Sequence, residues 1–244
     1  MNYQTESERD FALHAYCYVC RKYHLYCWIT FVLMIWLSDK IEFPPYEEAS
    51  EEGIIAIGGD LSPERLMFAY KRGIFPWYSE EYPILWHFPK MRMVLFPEEL
   101  KISKSMRQVL RKGQFTITEN KAFEQVISNC KHIKRNDELG TWITDDMEVA
   151  YNKLHELGYA KSIEIWLDNG LVGGLYGVEI GNIFCGESMF AKISNASKVA
   201  FIHLIQSQQY RLIDCQVYND HLASLGAREI ESKEFLNFIN PNTS

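Results

Sequence analysis

The hydrophobic period of this chain switches part-way along its length, and the switch calls for a fold that mixes helices with a sheet. Asp145 to Leu157 reads as a helix, with Thr144 as its N-cap, two acids in its first turn and Gly158 at its exit. Directly afterwards Ser162-Ile163-Glu164-Ile165-Trp166-Leu167 alternates with the period of a strand. Asp168-Asn169-Gly170 carries hairpin chemistry, and Leu171 to Ile180 returns as a glycine-rich strand. A short strand from Asn182 to Cys185, a helix from Asn195 to Ser207, a strand from Arg211 to Val217 and a helix from Lys233 to Asn240 complete the α/β (α+β) pattern.

Upstream, Ser62 is a plausible N-cap, Pro63 suits the first helical position and Gly73 suits the exit, which predicts a helix from Pro63 to Arg72. The reading is a small N-terminal domain over residues 34–93, a linker near Pro89 to Pro97, and a second domain over 94–244. Two further helices are expected, at Lys101 to Gly113 and Lys121 to Cys130. Residues 1–33 form an atypical arm holding Cys17, Cys20 and Cys27. Its apolar run, Leu25 to Leu37, is 13 residues long, short of the ~18 to 20 needed to cross a bilayer. Ser38-Asp39-Lys40 follows where a signal-peptide cleavage site would be, and the cysteine spacing matches no common zinc finger, so neither secretion nor a metal is expected. Translation from Met34 is an alternative that leaves 211 residues. Six cysteines with no paired framework point to reduced thiols and a cytoplasmic setting.

The net charge of −7 argues at first against a nucleic-acid partner. Its distribution reverses that inference, because Lys101 to Arg135 alone carries +7 and leaves −14 for the rest. On a helix, Arg107 and Arg111 fall within ~60° of Lys104, whereas Met106, Val109 and Leu110 fall on the opposite side. A solvated face is the bland reading of such a stripe; phosphate binding is the functional one.

Successive strand residues face opposite ways, so Asp214 and Gln216 share one face of the Arg211 to Val217 strand and Cys215 points away among aliphatics. A buried Asp and Gln can be purely structural. Cys215 so placed is a poor nucleophile.

Six blocks occur in order: Gly58-Gly59-Asp60-Leu61-Ser62-Pro63, Arg72-Gly73-Ile74-Phe75-Pro76-Trp77, Gly140-Thr141-Trp142-Ile143-Thr144, Phe184-Cys185-Gly186-Glu187-Ser188-Met189-Phe190, Asn195-Ala196-Ser197-Lys198 and Ile213-Asp214-Cys215-Gln216. Together they resemble the leucyl/phenylalanyl-tRNA–protein transferase family, from about Ile35 to Asn240. The resemblance implies a GNAT-like acyltransferase C-terminal domain and transfer of Leu, Phe or, less readily, Met from charged tRNA to proteins beginning with Arg or Lys, marking them for degradation. It implies Gln216 as the hydrogen-bond partner of the attacking amine, Asp214 as the group orienting it, and Glu187 as an electrostatic element. Leu175, Met189, Phe201 and Leu204 would line the pocket for the transferred side chain. Trp77, Trp142 and Tyr151 would lie near the aminoacyl-adenosine end, and Lys104, Arg107, Arg111 and Lys112 would hold the acceptor stem.

Gly186 to Ser194 lacks the glycine-rich turn a pyrophosphate needs, so no coenzyme A or other cofactor is expected. An α-amino group, with a pKa of ~7.7 to 8.0, is partly unprotonated near neutrality and can attack an activated ester once positioned. A covalent aminoacyl-enzyme is therefore not expected, and neither is a membrane partner; a monomer is. Two other classes stay open: a coenzyme A acetyltransferase, which would bind acetyl-CoA, and a noncatalytic RNA-binding module, which would bind tRNA without transfer.

Overall fold

The computed structural model describes residues 35–133, 143–207 and 209–239. Its strands are β1 (Trp36–Leu37), β2 (Ile54–Gly58), β3 (Phe75–Pro76), β4 (Leu85–His87), β5 (Met91–Leu95), β6 (Thr116–Glu119), β7 (Ala160–Leu167), β8 (Gly170–Ile180), β9 (Ile183–Ala191), β10 (Leu212–Gln216) and β11 (Arg228–Glu231). Its α-helices are α1 (Pro63–Tyr70), α2 (Lys104–Lys112), α3 (Phe123–His132), α4 (Asp145–Glu156), α5 (Ala196–Gln206), α6 (Asp220–Ser224) and α7 (Ser232–Ile239). Two sheets result, a four-stranded one ordered β1-β2-β4-β3 and a seven-stranded one ordered β11-β5-β10-β9-β8-β7-β6. The mixed α/β class expected from the periodicity is the one observed. The arm over residues 1–33, with its cysteines and most of its apolar run, lies outside the described residues.

Local chemistry explains the helix ends. Ser62, Ser103 and Thr144 each accept a backbone N–H from three residues on, capping α1, α2 and α4. Gly113 adopts the left-handed conformation that closes α2. In the seven-stranded sheet β9 and β10 run parallel while the other described pairs run antiparallel. One face packs on α5 and, with α2, encloses one apolar cluster; the other face packs on α3 and α4 and merges with the core of the four-stranded sheet.

Two sequence expectations need correction here. The stretch Pro89 to Pro97 is no linker, because Met91–Leu95 forms β5, paired with β10 on one side and β11 on the other. Its two prolines flank the strand, where no ladder N–H is required of them. The strand expected at Asn182 to Cys185 runs on to Ala191, so only Lys192 to Asn195 separates it from α5. A register shift hides the continuation, since Tyr176 pairs with Ser188 but Gly177 pairs with Gly186. Glu187 is the extra residue of that bulge, and the period of two breaks there.

Candidate active site

Two bulges build the site. The one at Glu187 turns its carboxylate to the face that also carries Cys185 and Tyr176, while Met189 beyond it faces the other cluster. A second, on β10, pairs Asp214 with Val94 and Gln216 with Met93, leaving Cys215 as the extra residue. The parallel ladder between β9 and β10 stops at Cys185 and Asp214. Glu187 and Gln216 lie just past that point, at the carboxyl ends of the paired segments, where open sheets favour ligand binding.

Glu187 is 8% exposed. Its Oε1 accepts from the Tyr70 hydroxyl at 2.6 Å and from Gln216 Nε2 at 2.8 Å, and its Oε2 accepts from the Tyr151 hydroxyl at 3.1 Å. The two hydroxyl oxygens are 2.5 Å apart. Three oxygen pairs in this triangle are thus within hydrogen-bond reach, while the tyrosines bring two protons. With Glu187 ionised, one of the three pairs is left without a proton of its own, and burial pushes the Glu187 carboxyl up to about 7 despite the two hydroxyls and Arg92 that favour the charge. The same burial, with the Glu187 charge beside them, holds both phenols well above their ordinary range.

Asp214 is fully buried and carries a different load. Arg92 donates to it twice, Nε to Oδ1 at 2.7 Å and Nη2 to Oδ2 at 2.6 Å. The Gln216 backbone N–H donates to Oδ1 at 2.9 Å. Asp214 therefore acts on Gln216 through the backbone rather than through the side-chain amide. Among the described residues no hydrogen-bond donor to Gln216 Oε1 is seen, while its Nε2 is engaged by Glu187. Burial and the Asp214 charge drive the Cys215 thiol far up, consistent with a side chain that stays a thiol.

A family model described as leucyl/phenylalanyl-tRNA protein transferase matches residues 94–240, and the model of that family's N-terminal domain matches residues 59–90. The chain belongs to the leucyl/phenylalanyl-tRNA protein transferase family. It is accordingly an aminoacyltransferase. A Flavobacterium johnsoniae protein of that name is 58% identical over 209 residues, covering 84% of this chain and 99% of its own length. A Shigella dysenteriae protein of the same name is 52% identical over 206 residues, covering 82% of this chain and 87% of its own. A solved structure titled FemX superposes with a TM-score of 0.46 at 10% identity, covering 69% of this chain and 66% of that one.

The other residues singled out in this transferase-family chain fall in distinct places. Leu175, Phe201 and Leu204 are buried and Met189 is partly buried in one apolar cluster, with Leu175 and Met189 cross-strand partners. Trp77 is 41% exposed and leans on His87. Its neighbour Tyr78 meets the Thr144 hydroxyl at 3.2 Å, so this segment lies against the start of α4. Trp142 lies outside the described residues. Tyr151 departs from the stacking expectation: it is fully buried, edge-on to Tyr176 at 5.7 Å, and offers no open ring face, only its hydroxyl to Glu187. Lys104, Arg107, Arg111 and Lys112 are exposed on α2 opposite buried Met106, and none has an ion-pair partner among the described residues.

Sequence reasoning missed Tyr70 and Arg92. Tyr70 sat unremarked in a predicted helix, where an aromatic reads as core. Arg92 had a usable signal, a lone cation inside the apolar run Met91 to Phe96, since a charge in such a run is seldom buried without a partner.

Proposed function

We propose that this chain moves Leu, Phe and, less readily, Met from charged tRNA to the α-amino group of proteins beginning with Arg or Lys, creating a degradation signal. The observation that carries this reading is the buried Glu187 carboxyl, held by Tyr70 and Tyr151 and bonded to the Gln216 side-chain amide, in a chain of this family. Gln216 Oε1 accepts an N–H of the attacking amine and Glu187 offers negative charge to the cationic acceptor residue. The amine attacks the aminoacyl ester carbonyl, the carbonyl–nitrogen bond forms, the ester bond breaks, and the tRNA 3′ hydroxyl leaves with a proton. Positioning supplies the main part of the acceleration, since oriented reactants recover several kcal/mol of barrier.

Leu175, Met189, Phe201 and Leu204 supply an apolar pocket for the transferred side chain, which discriminates by ~1 to 3 kcal/mol per methylene. Trp77 and Trp142 serve the terminal adenosine by stacking. The exposed basic face of α2 holds acceptor-stem phosphates, with shape rather than sequence recognition. No helix among the described residues is long and apolar enough to cross a membrane. The protein is proposed to work as a cytoplasmic monomer.

Incubation of full-length and Met34-start proteins with radiolabelled Leu-tRNA and a protein beginning with Arg tests the reading. Label should enter the acceptor's N-terminus, and no transfer by either protein overturns it. Replacing Arg107 and Arg111 together by Ala should raise KM for charged tRNA and lower the slope of its logarithm against log salt by about one unit per lost contact. An unchanged slope counts against this face.

A further inference from the structure

We propose that Arg92 is a positioning residue for transfer: by gripping Asp214 with two arms of its guanidinium, it holds Gln216 in the backbone conformation that presents its side-chain amide to Glu187. This deepens the transferase reading and rests on it.

Gln216 has φ +63°, the left-handed region, which a residue with a Cβ disfavours and which glutamine, lacking the short side chain of Asn or Asp, has no local bond to offset. Strain of this kind persists where the surroundings impose it. Here the restraint is the bond from the Gln216 N–H to Asp214 Oδ1. Asp214 can serve as a fixed anchor only if its own carboxylate does not rotate, and the paired bonds from Arg92 Nε and Nη2 prevent that.

Arg92 is itself held on every side. Its Nη1 donates to the Gly73 carbonyl at 3.1 Å, and its guanidinium lies 4.6 Å from the Phe75 ring centre and 4.8 Å from that of Phe235. The guanidinium thus ties the turn after α1, the strand β10 and the helix α7 to one point. A buried ion pair is a weak source of net stability, because desolvation offsets the attraction. This pair supplies orientation. Lysine would keep the charge and lose the planar fork.

The test is steady-state transfer of labelled Leu to an Arg-initiated protein by wild type, Arg92→Lys and Arg92→Ala. Arg92→Lys should lower kcat about 10- to 100-fold while KM for charged tRNA stays within about twofold, the pattern of a lost arrangement rather than lost binding. Arg92→Ala should lose more, and added guanidinium, but not methylammonium, should restore part of its kcat. A folded Arg92→Lys enzyme with wild-type kcat, a KM that rises in step with the loss, or an Arg92→Ala enzyme indifferent to guanidinium overturns the proposal. Amide exchange in the wild type needs no variant: the Gln216 N–H should exchange as slowly as its β10 neighbours, and exchange as fast as that of exposed Tyr218 overturns the proposal too. A wild type that transfers nothing instead overturns the transferase reading, so the two failures are separable.

Discussion

Replacement of Glu187 by Gln is expected to reduce kcat/KM for aminoacyl transfer by about 100-fold or more, the loss typical of removing one preorganised electrostatic group from a water-poor site. Glutamine nearly preserves the shape, so the variant should fold. What changes is the charge and the acceptor for two hydroxyls, because Tyr70 and Tyr151 both donate to this carboxylate. The pH dependence should change with it. Burial raises the Glu187 carboxyl from 4.5 to about 7, so between these values the folded protein keeps a proton that the unfolded chain has released. Stability then falls as pH rises through this window. Wild-type stability should show that decline and Glu187→Gln should lack its contribution. In transfer assays, the inflection near neutrality should lose its Glu187 component, leaving that of the acceptor amine. A variant with wild-type kcat/KM would remove Glu187 from the mechanism.

Gly177→Ala should be the most damaging single methyl in the sheet. A Cβ at Gly177 would sit 2.3 Å from the Cys185 carbonyl oxygen and 2.6 Å from the Phe184 ring. The nearer obstacle is backbone of the adjoining strand and cannot swing aside, so the β8–β9 ladder must open at the bulge that aims Glu187. Overpacking of this kind costs about 1–3 kcal/mol, and the upper end is expected here. At ~2 to 4 °C per kcal/mol for a chain of this size, Tm should fall by roughly 6–12 °C. Transfer activity should fall even well below that Tm. Gly186→Ala, on the cross-strand partner, is the control: its added Cβ meets nothing nearer than the Asp214 carbonyl at 3.5 Å, an ordinary contact. Equal Tm losses in the two variants would show that Gly177 holds no special place.

Much of this arrangement was legible along the chain because it depends on neighbours within a few residues. Ser62, Ser103 and Thr144 cap helices by reaching three residues ahead. Asp168 and Asn169 take positive φ in the hairpin turn predicted for them. The basic stripe of α2 is a matter of helical angle, and it emerges exposed with Met106 buried opposite. The shared face read for Asp214 and Gln216 assumed unbroken alternation, which the bulge at Cys215 interrupts, since the two pair with adjacent residues of β5, Val94 and Met93. Where a bulge intervenes, alternation misleads, and the one at Glu187 conceals the run of β9 on to Ala191.

The sequence by itself therefore determined the helices α1 to α5 and α7, the strands β7 to β10, the basic face and, through its six blocks, the family, but not β1 to β6, β11 or α6. Only the tertiary structure decided what surrounds Glu187 and Asp214. Tyr70, Arg92, Tyr151, Glu187, Asp214 and Gln216 come from α1, β5, α4, β9 and β10, and no periodicity links residues so far apart in the chain. Their partnership is decided when folding removes water and each buried polar group must find a partner of fitting geometry. That requirement sets Arg92 against Asp214 and the two tyrosines against Glu187, and it places the carboxyl that titrates near neutrality beside the side-chain amide of Gln216.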